Sequence, residues 1–140
     1  MKKFVVYICL CLCICLGFGF SLSQVTISAK VDVGYIFIGD SRTVGMKDTI
    51  ESKGYTCIAE IGKGLGYLKS DCFNELKDKI STKTNIKKWK IISSFGVNDL
   101  GNVSDYAEYY KNLISKLPDG NEYTLYLVPV FKVNESIAHK

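Results

Sequence analysis

Between residues 34 and 130 the chain repeats one pattern, in which a short run of apolar residues precedes a longer segment whose apolar positions are three or four residues apart. Runs of this length, bounded by glycine or polar residues, predict strands buried in a sheet. The predicted strands are GYIFIG (34–39), YTCIAEI (55–61), WKIISSFG (89–96) and EYTLYLVPV (122–130).

The segments between these runs predict helices at residues 43–52, ended by Gly54, at residues 67–80, and from a cap at Ser104 to the turn 118–120. The second and third helices each carry an apolar stripe, made of Leu68, Cys72, Phe73, Leu76 and Ile80 in one and of Tyr106, Tyr109, Leu113, Ile114 and Leu117 in the other. Alternation of strands and helices predicts an α/β fold, a mostly parallel sheet covered on both faces in a three-layer sandwich.

The fourth predicted strand is apolar on successive residues, LYLV, which is typical of a strand buried on both faces. Only residues 131–140, FKVNESIAHK, follow it, so that a helix beginning at Asn134 or Ser136 is not completed. Because a bare apolar edge promotes aggregation, we expect the domain to be incomplete at its C-terminus.

The N-terminus has a different character, since Met-Lys-Lys precedes an uncharged apolar run from Phe4 to Leu22. Residues 1–23 are therefore predicted to be a signal peptide, or an uncleaved anchor barely long enough to span a bilayer. Residues 24–34 are predicted to be a linker and 35–140 the α/β domain. We expect the domain to lie outside the cytoplasm, secreted or anchored to a membrane only through residues 4–22.

Charge and cysteine positions restrict the classes of ligand that the protein is expected to bind. The net charge of +4 comes from lysines that are scattered or paired, without the dense basic stripe and stacking aromatics of a nucleic-acid face. Four of the six cysteines lie in the N-terminal apolar run, and Cys57 and Cys72 are able to pair in an oxidising compartment, which stays open. The cysteines show no metal-ligand spacing, and we expect no nucleic acid, metal or cofactor.

Three predicted strands end in residues suited to chemistry, and these are Gly39-Asp40-Ser41-Arg42, Gly62-Lys63-Gly64 and Gly96-Val97-Asn98-Asp99. Each is also common turn or cap material. Because ligands of such sheets bind beyond the carboxyl ends of the strands, their occurrence at three ends favours a site. The N–H of Ser41, the N–H of Gly62 or Gly64 and the amide of Asn98 can converge on one oxygen and stabilise an oxyanion.

IFIGDSRTVGM, the glycines of EIGKGLGYL, and SSFGVNDL resemble the first three sequence blocks of the SGNH (GDSL-type) hydrolases, most closely the exported branch of Gram-positive bacteria. The resemblance covers about residues 35–134. It implies a flavodoxin-like fold and serine-dependent hydrolysis of esters, often acyl or acetyl groups on carbohydrates, with a small ester or acylated carbohydrate as substrate and no cofactor.

The resemblance also implies roles for single residues. Ser41 is the expected nucleophile, and the oxyanion hole is expected to consist of Ser41, a glycine of the second block (Gly62 in preference to Gly64) and Asn98. Asp40 and Asp99 are expected to shape the loops, and Arg42, the only arginine of the chain, to lock the turn or face the substrate.

The family's catalytic base, in an Asp-x-x-His block, is missing from this sequence, whose only histidine is His139. A serine without a base stays largely unactivated, so we expect this chain to be nearly inactive. Two alternatives stay open, a non-catalytic module that binds a glycan or cell-wall ligand, and a truncated gene remnant.

Overall fold

The computed structural model describes residues 32–130, so that the predicted leader (1–23) and His139 lie outside the described residues. No helix in this part of the chain is long and apolar enough to cross a membrane. The strands are β1 (Val33–Gly39), β2 (Thr56–Ala59), β3 (Lys88–Ser94) and β4 (Glu122–Leu127). The helices are α1 (Ser41–Val44), α2 (Lys47–Ser52), α3 (Leu65–Tyr67), α4 (Phe73–Thr82) and α5 (Val103–Leu113), with a π-helical turn at Leu68–Cys72 and 3₁₀ turns at Leu100–Asn102 and Ile114–Lys116.

The four strands form one parallel sheet in the order β2-β1-β3-β4, which confirms the predicted α/β fold. Strand β1 is central, and Phe37 pairs with Cys57 on one side and with Ile92 on the other. It begins at Val33, inside the predicted linker. The chain that leaves β1 therefore emerges between the ends of β2 and β3.

Helices cover both faces of the sheet, as in a flavodoxin-like three-layer sandwich. On one face Ile36, Ile38 and Ile91 pack in one buried cluster with Leu76 of α4 and Leu113 of α5. Ile50 of α2 is also buried but does not belong to that cluster, because α1 and α2 lie on the opposite face. In a right-handed crossover, the direction of the step between strands decides which face of the sheet the connecting helix covers. The step from β1 to β2 runs opposite to the steps from β2 to β3 and from β3 to β4. Helices α1 and α2 therefore lie on the other face from α4 and α5.

The predicted helix 67–80 and its buried stripe are confirmed, with one irregularity. The π-helical turn Leu68–Cys72 joins α3 to α4, so that one extra residue is accommodated within the helix. The hydroxyl of Tyr109 on α5 donates a hydrogen bond of 3.4 Å to the carbonyl of Leu68. This contact supplies a partner at a turn where the regular ladder is interrupted.

Two helix boundaries differ from prediction. The predicted helix 43–52 is two helices, because the N–H of Met46 bonds the carbonyl of Thr43 and this tight turn ends α1. The prediction that Ser104 caps the third helix is wrong. The N–H of Asn102 bonds the carbonyl of Asp99 in a 3₁₀ turn that leads into α5, which begins at Val103 without a side-chain cap.

The fourth strand has the apolar pattern of a strand buried on both faces, but within residues 32–130 one of its faces is uncovered, in agreement with the expected bare apolar edge. Strand β4 lies at the edge of the sheet, where Tyr126 is 46% and Leu127 55% exposed. Only the face carrying Tyr123 and Leu125 packs against the core.

Cys57 and Cys72 do not form a disulfide. Cys72 belongs to the buried cluster that contains Ile58, whereas Cys57, the neighbour of Ile58 on β2, points to the opposite face of the sheet. The sheet therefore separates the two thiols.

Burial raises the pKa of the Cys72 thiol to about 12, and burial followed by the charge of Glu51 raises the pKa of Cys57. We expect a thiol reagent in mildly alkaline buffer to modify Cys57 slowly in the folded protein and Cys72 only after unfolding. Cys57→Ser should remove one thiol from the native titration, and Cys72→Ser should remove one only in denaturant. A native titration that loses a thiol in Cys72→Ser would contradict this packing.

Candidate functional site

Ser41 lies at the centre of the carboxyl edge of the sheet. It is exposed and begins α1, directly after the buried Asp40. The N–H of Asp40 bonds the carbonyl of Ser94 at 3.2 Å, and the N–H of Glu60 bonds the carbonyl of Gly39 at 3.3 Å. Both neighbouring strands are therefore held against the chain up to the residue before Ser41.

The turn that carries Ser41 is locked by Asp40 and Arg42. One carboxylate oxygen of Asp40 accepts the backbone N–H of Arg42 at 3.0 Å and its Nε at 3.1 Å, and the other accepts Nη2 at 3.1 Å. Asp40 is 0% exposed, while the side chain of Arg42 is 31% exposed. A planar guanidinium is suited to grip a carboxylate at two points, which accounts for the one arginine of the chain at this position.

Gly39 permits α1 to approach the sheet closely. A Cβ on Gly39 would overlap the hydroxyl of Thr43 and lie 2.8 Å from the carbonyl oxygen of Ser94. Thr43 is buried, and its hydroxyl has no hydrogen-bond partner among residues 32–130. Space at the end of β1 is therefore filled by Thr43, and only glycine fits beneath it.

The loops after β2 and β3 are joined to each other. The side-chain amide of Asn98 donates to the carbonyl of Lys63 at 2.8 Å. Asp99 accepts the N–H of Leu65 at 2.8 Å and the hydroxyl of Tyr106 at 2.8 Å. Since β2 and β3 flank β1, these bonds connect the two loops across the end of β1, where Ser41 lies.

The two glycines of the second loop have different surroundings. A Cβ on Gly64 would collide with the carboxylate of Asp99, whose Cγ would be 2.6 Å away. Gly62 has a φ of +73°, a left-handed backbone conformation that residues with a side chain rarely adopt. A Cβ added to Gly62 would meet no atom within 4 Å. Gly64 is thus required because Asp99 packs where a side chain would lie, whereas Gly62 is required because its turn needs a positive φ.

Several N–H donors remain unused at this edge. Within residues 32–130 no acceptor bonds the backbone N–H of Ser41, Gly62 or Gly64. The amide of Asn98 has two N–H groups, of which the Lys63 carbonyl takes one. The predicted site residues thus lie on three loops at the carboxyl edge of the sheet, and each loop has an N–H donor without an acceptor among residues 32–130.

Several ionisable groups of these loops and of α5 pair with one another. Lys63 pairs with Glu60 at 3.0 Å. Burial and the hydrogen bond to Asp99 raise the pKa of Tyr106, so that its hydroxyl stays protonated and donates. Residues 32–130 contain no histidine, and within this range no cluster of histidine, cysteine or acidic side chains is placed to hold a metal ion.

Sequence reasoning missed the polar role of Tyr106. Its position in the apolar stripe of the third helix predicted burial, which is correct, since it is 8% exposed. Its hydroxyl, however, holds the Asp99 carboxylate together with the N–H of Leu65. The available signal was its spacing, seven residues after Asp99, which brings it back over the loop after two helical turns.

Comparison of the chain with protein-family models, with curated proteins and with solved structures found no match.

Proposed function

We propose that this edge of the sheet is the centre of a serine-dependent ester hydrolase of the SGNH type, acting on acyl or acetyl esters of carbohydrates or other cell-envelope molecules outside the cytoplasm. The observation that carries the proposal is the bonding of the Asn98 loop to the Lys63 loop across the end of β1, beside the exposed Ser41. A turn or a helix cap alone does not require three loops to meet at one serine.

In this proposal Ser41 Oγ adds to the ester carbonyl carbon while its proton passes to a base. The carbonyl oxygen becomes an oxyanion, which the N–H groups of Ser41 and Gly62 and the second amide N–H of Asn98 stabilise. Each such donor contributes roughly 100- to 1,000-fold to the rate. The alcohol then leaves, and water hydrolyses the acyl-serine.

The base is the component that residues 32–130 do not supply, because they contain no histidine. Loss of the histidine from a comparable serine hydrolase costs on the order of 10⁶ in turnover. We therefore expect the 140-residue chain alone to hydrolyse esters very slowly. Because Ser41 is exposed, a small base from solution is able to reach its hydroxyl.

Imidazole added to the buffer tests the proposal. We expect hydrolysis of p-nitrophenyl acetate to increase with imidazole concentration beyond the background reaction, and Ser41→Ala to remove all of the increase. Asn98→Ala should lower the Ser41-dependent rate by about 100-fold, as expected for one oxyanion donor.

Asn112→Ala is the matched control, because Asn112 is exposed and its side chain bonds only the carbonyl of Glu108 on its own helix. Its rate should equal that of the parent chain. Equal rates in the parent and Ser41→Ala at every imidazole concentration would refute the hydrolase. Glycan binding unchanged by Ser41→Ala would then favour the non-catalytic module.

A further inference from the structure

Strand β4 leaves one edge of the sheet open. Among residues 32–130 no strand lies beyond it, and the exposed hydrophobic residues Tyr126 and Leu127 lie on it. Exposed strand edges are usually protected by a charged side chain, a proline or a bulge. Between Glu122 at its beginning and Pro129 after its end, β4 has none of these, and its register with β3 is continuous. The edge is therefore suited to pair with another strand.

The backbone groups of β4 that do not face β3 form a short row. The N–H of Glu122 bonds the carbonyl of Lys87, and the N–H of Val128 bonds the carbonyl of Ser93, both at 2.8 Å. Because the backbone groups of a strand point alternately to its two sides, even-numbered residues of β4 bond toward β3 and odd-numbered residues point outward. The outward row presents three N–H and three carbonyl groups, from Tyr123, Leu125 and Leu127.

This row is symmetrical about Leu125. When a second copy approaches in the antiparallel direction with the two Leu125 residues opposed, Tyr123 of each copy lies opposite Leu127 of the other. Opposed residues of this kind exchange two hydrogen bonds, so the three pairs use every outward group of both strands. On the other face of the sheet, Thr124 then lies opposite Tyr126 of the second copy, whose exposed ring is able to pack against it.

The charges of β4 permit this pairing. Glu122 pairs with Lys88 of its own chain at 2.8 Å, and in the antiparallel arrangement it lies opposite Val128 of the second copy. The two Glu122 residues are then about 20 Å apart along the strands, at about 3.3 Å per residue. This separation exceeds the screening length of about 8 Å at physiological ionic strength. No charged side chain of β4 therefore opposes another.

We propose that two copies of this chain associate through β4, in an antiparallel pairing centred on Leu125, and form one continuous sheet. A second copy is the occupant that fits, because a two-fold axis beside Leu125 matches every outward group with an identical strand and leaves no free β4 edge. The two candidate sites then lie at opposite ends of this sheet. The inference does not depend on the proposed function.

Disulfide trapping tests this pairing on the full chain. Thr124→Cys and Tyr126→Cys chains are mixed and oxidised with glutathione disulfide, and peptide mass spectrometry identifies the linked cysteines. Positions 124 and 126 of opposite copies form a pair whose Cα atoms are about 4.5 Å apart, within the range of a disulfide. Two identical positions are about 8 Å apart, which is too far. We expect the mixed disulfide to exceed either symmetric one by at least about 10-fold.

Leu127→Lys, introduced into both trapping variants, should lower the yield of the mixed disulfide by at least about 10-fold, because a lysine on a strand edge opposes pairing. Met46→Lys is the matched control, since Met46 is 48% exposed and lies between α1 and α2, away from β4. Its yield should equal that of the trapping variants alone. Circular dichroism checks that both lysine variants are folded.

Equal yields of the three disulfides would overturn the pairing, as would a mixed disulfide that Leu127→Lys does not reduce. The absence of all three would also overturn it, and hydrogen exchange would then show what covers the edge. A protected N–H of Leu125 in that monomer would assign the edge to another segment of the same chain, and a rapidly exchanging one would leave it to solvent.

Discussion

Arg42→Ala is expected to lower the free energy of unfolding by about 3 kcal/mol, the lower end of the cost of removing one partner from a buried ion pair. Asp40 is 0% exposed and would keep a single donor, the backbone N–H of residue 42. The lower end applies because the side chain of Arg42 is 31% exposed, so that some water can replace it. Equilibrium urea unfolding measures the change.

Asp40→Ala should cost less, about 1–2 kcal/mol, because it removes a helix cap while the guanidinium turns into solvent. The double variant should have the same free energy of unfolding as Asp40→Ala, because neither protein contains a buried carboxylate without a partner. Lys47→Ala is the surface control. Its pair with Glu51 joins two half-exposed groups at 3.9 Å and should contribute less than about 0.5 kcal/mol. Equal costs for Arg42→Ala and Asp40→Ala would contradict this account.

Gly64→Ala is expected to cost about 3 kcal/mol, because the new methyl group displaces the Asp99 carboxylate and breaks its charged hydrogen bond to Leu65. The same displacement should release Asn98 from Lys63, so Ser41-dependent hydrolysis with imidazole should fall together with stability. Urea unfolding and the imidazole assay on the same variant measure the two effects.

Gly66→Ala is a closely matched control two residues away. A Cβ at Gly66, within α3, meets no atom within 4 Å, and alanine is favoured over glycine inside a helix by up to about 1 kcal/mol. This variant should be slightly more stable and equally active. A Gly64→Ala protein as stable as Gly66→Ala would show that Asp99 does not depend on the space that glycine leaves.

The architecture was predictable because strand and helix periods differ and are repeated along the chain. The buried face of the helix at 67–80 followed from spacing alone, and Leu68, Cys72 and Leu76 are each 0% exposed. Successive apolar residues in the fourth strand indicate only what that strand is able to bury. Whether Tyr126 is covered depends on its position at the edge of the sheet.

The sequence was sufficient to predict which loops form the candidate site, but not which side chains within those loops contact one another. Parallel strand ends necessarily meet at one edge, so Ser41, Gly62 and Asn98 could be grouped from sequence. The selection of Arg42 as the partner of Asp40, and of Tyr106 as a donor to Asp99, depends on rotamers that periodicity does not specify. Gly64 showed the same limit, because its neighbour Asp99 is 35 residues later in the chain.

The central position of β1 has a consequence for how the chain folds. Parallel neighbours cannot be joined by a hairpin, and β1 pairs with β3, which begins 55 residues after it. Such pairings lose loop-closure entropy before any contact compensates for it, which slows folding. Ser41 therefore acquires its neighbours on the loop after β3 only when β3 docks against β1.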